Sequence, residues 1–244
     1  MASPTAPTSA GPSSQARPAS GDPFVDTQVA SFASGADGLV LPAAADTGSF
    51  TAAEVEAALQ QMKKFMATAY LDPRVFGGDL GPVYAVVNDG MRRSFQEMAG
   101  DPSRQKELLS FAARFAPGVT LVLPDVHVKG TITYALGEQP GTLKIATNHV
   151  YVYPLCRHSF QALFTVHRDL EFTFHRAGTV RTAEEGIYYS GGKGILYWDF
   201  DCEAMKKGLL APGEPPGFTA PEPGEPEYSE RFDPTTPIAG RDIC

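Results

Sequence analysis

The chain has 244 residues, 43% of them hydrophobic, and a formal net charge of −8 from 28 acidic against 20 basic residues. That apolar share supports a sizeable core. The bases come as isolated doublets (Lys63-Lys64, Arg92-Arg93, Lys206-Lys207) with no basic stripe, which argues against a nucleic-acid partner. No run of about 18 apolar residues is present to span a membrane, and no apolar stretch follows Met1 as a signal peptide requires.

Residues 1–23 are almost entirely Ala, Ser, Pro, Thr and Gly, with Arg17 and Asp22 the charged exceptions. Such a segment has no apolar surface to offset the entropy of ordering it, so a disordered linker is expected. A stalk of this kind suits a domain held away from a membrane anchor, with Met1-Ala2-Ser3 standing after a removed export signal. The alternative is a cytoplasmic protein with a plain flexible terminus. Residues 24–49 read as a loosely ordered lead-in to an α+β domain over 50–202.

That domain opens with a helix. Thr51 and Glu54 have capping-box spacing, and Phe50 and Val55 have staple spacing. Val55, Ala58, Leu59, Met62, Phe65, Met66, Ala69 and Tyr70 then form one apolar stripe, which Asp72-Pro73 ends. A second helix is expected over 90–98, and a third from Asp101 with Pro102 at its first position.

After Pro117-Gly118 the period changes to two. Val126, Val128, Ile132, Tyr134 and Leu136 share one face, and residues 137–141 make a turn. A strand beginning at Leu143 and Ile145 continues to Tyr153 with a change of phase near Thr147-Asn148, read as a bulge. Residues 160–175 form the clearest strand, with Phe164, Val166, Leu170 and Phe172 facing inward. Strands over 180–189 and 195–200 are expected to be joined by a hairpin turn at Ser190-Gly191-Gly192-Lys193-Gly194. Helices first and an antiparallel meander afterwards predict helices packed on a curved sheet.

Beyond Cys202 the chain is rich in Pro and Glu, yet it ends on Ile243-Cys244. Cys156, Cys202 and Cys244 show no zinc spacing. A Cys202–Cys244 disulfide is favoured, tethering the 203–244 extension and leaving Cys156 free. In the loop-entropy account such a bond contributes about 4 kcal/mol.

Several motifs resolve to structure. His167-Arg168-Asp169-Leu170 spells the start of a kinase catalytic loop, but Phe174 stands where that loop needs Asn. Ser190–Gly194 lacks the Gly-Lys-Ser/Thr ending of a phosphate loop. His167, Asp169, Glu171 and His175 share the outward face of one strand, which reads as solvated and not as a metal site. Cys156 and His158 are close in sequence without evidence of a nucleophile–base pair. Arg168 differs, because it falls in phase with Phe164, Val166, Leu170 and Phe172. A buried guanidinium needs partners. The expected one is an acid such as Asp199 or Glu184; the alternative is a pocket in which Arg168 meets an anionic ligand.

Three stretches, T-A-A-E-V-E-A-A-L…Y-L-D-P-R-V-F-G-G over 51–78, F-A-P-G-V…V-H-V-K-G-T-I-T-Y over 115–134 and L-F-T-V-H-R-D-L-E-F-T-F-H-R over 163–176, resemble a group of actinobacterial proteins of unknown function. So does the ending, with Cys202-Glu203, Gly208-Leu209-Leu210-Ala211, Phe232-Asp233-Pro234 and Cys244. The resemblance implies an exported or lipoprotein-like protein with a stalk before its domain. The element order also resembles the cone of nuclear-transport-factor-like domains, which serves isomerases, small-molecule binders and scaffolds alike. The expected function is therefore a non-enzymatic extracytoplasmic binding or scaffold domain, with no cofactor and no metal, whose partner is a protein or a small ligand. Its candidate ligand-binding residues are Arg168, Tyr134, Tyr151 and Tyr153. The rivals are an isomerase- or hydrolase-like cone enzyme using a tyrosine–carboxylate pair, and a purely structural assembly module.

Overall fold

In a computed structural model, which describes residues 21–158, 160–181, 184–198, 200–213 and 229–238, the chain is organised around one helix, α1 (Ala52–Leu71). The Thr51 side chain accepts from the Glu54 backbone and Glu54 accepts from the Thr51 N–H at 2.8 Å, so the expected capping box is formed. All eight residues of the predicted stripe are buried. Asp72 ends α1 and caps α2 (Pro73–Phe76), whose first position is the proline. Two more helices follow, α3 (Gly81–Tyr84) and α4 (Asp89–Gly100), the latter capped by Asn88. The helix expected from Asp101 is instead a 3-10 helix over Gln105–Ser110. Asp101 spends its carboxylate on Ser103 in a local turn, which delays helical pairing.

The strands are β1 (Ala33–Ser34), β2 (Val119–Leu121), β3 (His127–Leu136), β4 (Thr142–Arg157), β5 (Phe160–His175) and β6 (Gly186–Trp198). They form one antiparallel, curved sheet in the order β1-β3-β4-β5-β6, with β2 paired to the far end of β4. This is the expected α+β architecture of helices on a sheet. A short helix, α5 (Cys202–Lys206), follows the last strand, capped by Asp201. The 208–211 stretch returns to the helical side, where the Leu210 N–H donates to the Arg114 carbonyl and the Ala116 N–H to the Leu210 carbonyl.

Two strand expectations are corrected. Ser190–Gly194 is no hairpin turn: β6 runs through it as a single strand beginning at Gly186. Between Arg168↔Ile195 and Phe172↔Tyr189, β6 uses two more residues than β5, so two bulges follow one another. Two extra residues restore the in–out phase, so Tyr189 and Tyr197 both face the helices. Glycine is needed there. A Cβ on Gly192, at φ 130°, would lie 2.3 Å from the Asp169 carbonyl oxygen.

The bulge expected at Thr147-Asn148 is absent, since β4 pairs without interruption with both neighbours. The phase of hydrophobicity changes because both faces of β4 become buried there. Leu143, Ile145, Thr147, His149, Tyr151 and Tyr153 face the helices, while Val150 and Val152 are buried on the opposite face. Their cover is the 24–49 lead-in, expected to be loose, together with part of the C-terminal extension. Phe24, Val29, Phe32 and Phe232 pack with Val150 and Val152 as a second, smaller core. Phe24 stacks on His127 with ring centroids 3.8 Å apart, and β1 adds itself to the edge of β3. The linker over 1–20 lies outside the described residues.

Replacing Leu59, fully buried in the middle of the α1 stripe, with Ala should destabilise the protein by about 2–5 kcal/mol. Chemical denaturation measures this, and a cost below about 1 kcal/mol would place α1 off the sheet.

Candidate functional site

The candidate residues separate into two groups. Tyr134 stands on β3 opposite Ile145, where its hydroxyl donates to the Ala43 carbonyl and accepts from the Ala45 N–H, each at 3.0 Å. It therefore clamps the lead-in onto the sheet. Tyr151, Tyr153 and Arg168 come together on the helical face of β4 and β5, at 0–1% exposure. Strand register explains why: Tyr151 lies opposite Val166, Tyr153 opposite Phe164, and Arg168 is two residues along the same face.

Sequence reasoning did not assign three other members. His149 lies directly opposite Arg168, between Gly130 on β3 and Arg168 on β5. A Cβ on Gly130 would lie 2.6 Å from the His149 ring, so that glycine makes room for the imidazole. Tyr197 on β6 is opposite Val166 and in phase with Arg168. Tyr70, from the last turn of α1, closes the cluster from above, with the Arg168 guanidinium carbon 4.3 Å from its ring centre. The signal for Tyr197 was strand phase, lost because the glycine segment read as a turn. Tyr70 is visible only as one more member of an apolar stripe.

Among the described residues, no acidic partner of Arg168 is found. Glu184 is exposed, and Asp199 lies outside the described residues. Among the described residues, Arg168 donates through Nη1 to the Leu109 carbonyl. Around it, the Tyr70 hydroxyl donates to the Ser110 carbonyl at 2.7 Å and the Tyr153 hydroxyl to the Tyr70 carbonyl at 3.0 Å. These carbonyls belong to the C-terminal ends of α1 and of the 105–110 3-10 helix. Helix C-termini carry partial negative charge, so they face the cation with the favourable sign.

Burial sets the protonation of the cluster. It raises the Tyr151 hydroxyl well above the ordinary phenol range and pushes the Tyr197 hydroxyl up to about 12, with Arg168 opposing the rise in both. The phenols are thus neutral donors at physiological pH. Burial, and then the charge of His167, pushes His149 down to about 3, so its imidazole is neutral as well. The guanidinium remains charged throughout the physiological range.

The opposite face of the sheet differs. His167, expected to be solvated, is 1% exposed beneath the C-terminal segment, with its Nε2 2.6 Å from Asn148 Oδ1. At the other end of that face a groove of about 390 Å³ opens, lined by Leu136, Lys144, Glu171, His175, Tyr188 and their neighbours. Lys144 and Glu171 pair across its floor at 2.7 Å, while Leu136 and Tyr188 are 53% and 41% exposed at its rim. Among the described residues no helix is long and apolar enough to cross a membrane. Comparison of the chain with family models, with characterised proteins and with solved structures finds no match.

The neutral, buried His149 makes stability depend on pH. An unfolded histidine titrates near 6.5 and this one folds with its pKa near 3, so between those values the unfolded chain binds the extra proton. Stability should therefore fall as pH is lowered through that window, by about 2 kcal/mol from His149 alone between pH 7 and pH 5. Urea denaturation at the two pH values should show this loss reduced by about that amount in His149→Leu. An unchanged loss would mean that His149 is hydrated in the folded protein.

Proposed function

We propose that the chain is a non-enzymatic binding or scaffold domain that works outside the cytoplasm, carried on its Ala/Ser/Pro/Thr-rich N-terminal stretch. The resemblance to exported actinobacterial proteins belongs to the same proposal. The observation that carries it is the filling of the helical face of the sheet. A cone enzyme keeps its chemistry in a hollow there, with a carboxylate beside a tyrosine. In this chain α1 and the side chains of Tyr151, Tyr153, Phe164 and Arg168 occupy that space at 0–1% exposure, and the charge beside the tyrosines is a cation. An accessible concavity lies on the opposite face. Its ion pair and exposed Tyr188 and Leu136 offer charge and apolar area together, which suits a small polar ligand or a segment of a partner protein.

Screening a library of small polar fragments by amide NMR tests the location. Shifts should concentrate at 136–144, 171–175 and 188–190, and Tyr188→Ala should abolish them without changing the melting temperature. Shifts concentrated at Tyr151, Tyr153 and Arg168 would instead support the cone enzyme.

The extracytoplasmic reading includes a tether for the C-terminal extension. Cys156 is a free thiol, and Cys244 lies outside the described residues. We propose that Cys202 and Cys244 are joined. Peptide mapping of the unreduced protein should yield one linked pair with Cys156 alone alkylated; three alkylated cysteines would remove the tether and the main argument for an oxidising compartment.

A further inference from the structure

We infer that the Arg168 cluster is a binding site for a small inorganic anion of halide size, held inside the fold between the guanidinium and the phenols of Tyr151 and Tyr197. This does not rest on the proposed function above. It rests on the hydrogen-bonding inventory of the cluster. Arg168 Nε and Nη2, the Tyr151 and Tyr197 hydroxyl oxygens and both ring nitrogens of His149 are all buried, and among the described residues none makes a hydrogen bond of good geometry. The guanidinium also lies close enough to the Tyr153 hydroxyl to oppose the rise that burial gives that phenol's pKa. Isolated orphans of this kind are uncommon in folded proteins, and six in one neighbourhood call for a guest.

The chemistry of the six atoms selects the guest. The two guanidinium nitrogens can only donate, and the neutral phenols have hydroxyl protons free to donate as well. The neutral imidazole adds one donor and one acceptor. The site is therefore rich in donors and carries one positive charge that, among the described residues, no carboxylate offsets. A single anion accepts several hydrogen bonds at once and neutralises the buried cation. Water would satisfy some of the donors and leave the charge. Size follows from burial: the orphaned atoms are closed off from solvent, so a guest among them is small. A halide fits this description, whereas an organic carboxylate would need a cavity.

Geometry supports a shared site. His149 is opposite Arg168, and Tyr151 and Tyr197 are both opposite Val166, the next residue on the same face of β5. Tyr70 meets Tyr151 edge to face at 5.2 Å between ring centres and lies against the guanidinium, closing the cluster on the helix side.

The test measures the melting temperature of the whole chain while chloride replaces gluconate at constant ionic strength. Binding to the folded state alone predicts a saturable rise with chloride. Bromide should substitute, and crystals grown in bromide should show an anomalous peak within hydrogen-bonding reach of Arg168 Nη2 and the two phenols. Tyr197→Phe and Tyr151→Phe remove one donor each without emptying the core, and each should raise the half-saturating chloride concentration about tenfold. Arg168→Met should abolish the dependence. Identical melting curves in chloride, bromide and gluconate would overturn the assignment, as would ordered water in place of the anomalous peak. A halide dependence that survives both phenylalanine variants would place the ion elsewhere. Halide-independent stability that collapses in Asp199→Asn would assign the counter-charge to Asp199 and equally refute the site.

Discussion

A single positive charge on the core face of the sheet constrains much of what surrounds it. Arg168 is 1% exposed, and desolvating a guanidinium costs several kcal/mol unless its charge and its donors are met. The fold meets them in part with dipoles. α1 and the 105–110 3-10 helix both end over the arginine, so their last carbonyls accept from Arg168, Tyr70 and Tyr153. The face of the Tyr70 ring adds its quadrupole at 4.3 Å. The position of α1 is thus fixed twice, by its apolar stripe along its length and by this polar contact at its end.

The same constraint reaches across the strands. One row of the sheet reads Gly130, His149, Arg168, Ile195. A Cβ on Gly130 would press on the Asn148 carbonyl oxygen at 2.2 Å and on the His149 ring at 2.6 Å, so the position takes glycine. His149 in turn remains neutral because its surroundings exclude water. On the far side of Arg168, the double bulge of β6 carries Tyr189 and Tyr197 back into phase with the core. Without the second extra residue, one of these two tyrosines would point to the outer face. The glycines of the Ser190–Gly194 segment therefore act on the cluster at a distance, by permitting that bulge.

Burial of both faces separates this sheet from a half-solvated meander. The lead-in and the C-terminal segment cover one end of the outer face with Phe24, Val29, Phe32 and Phe232, and leave the groove around Lys144, Glu171 and Tyr188 open at the other. A domain arranged in this way has its accessible surface on the side away from its main core. A ligand at the groove would meet an ion pair and an aromatic ring on strands whose opposite faces are closely packed, a rigid support for binding.

The sequence by itself determined α1 with its cap, its stripe and its end, because those are local: a capping box, a 3.6-residue period and an Asp-Pro stop all lie within one helix. It also determined β5 and the inward phase of Arg168, since alternation is likewise local. Three of the cluster's residues, Arg168, Tyr151 and Tyr153, were legible for that reason. Only the tertiary structure decided which atoms meet the guanidinium. The Leu109 carbonyl is some sixty residues away along the chain, and Tyr70 and Tyr197 arrive from a helix and an edge strand that no sequence period relates to Arg168. Tertiary structure also decided that Val150 and Val152 are buried and that the glycine segment continues a strand. Cover by a distant segment and pairing with a neighbouring strand are non-local interactions, and a one-dimensional pattern reports them only as an unexplained change of phase.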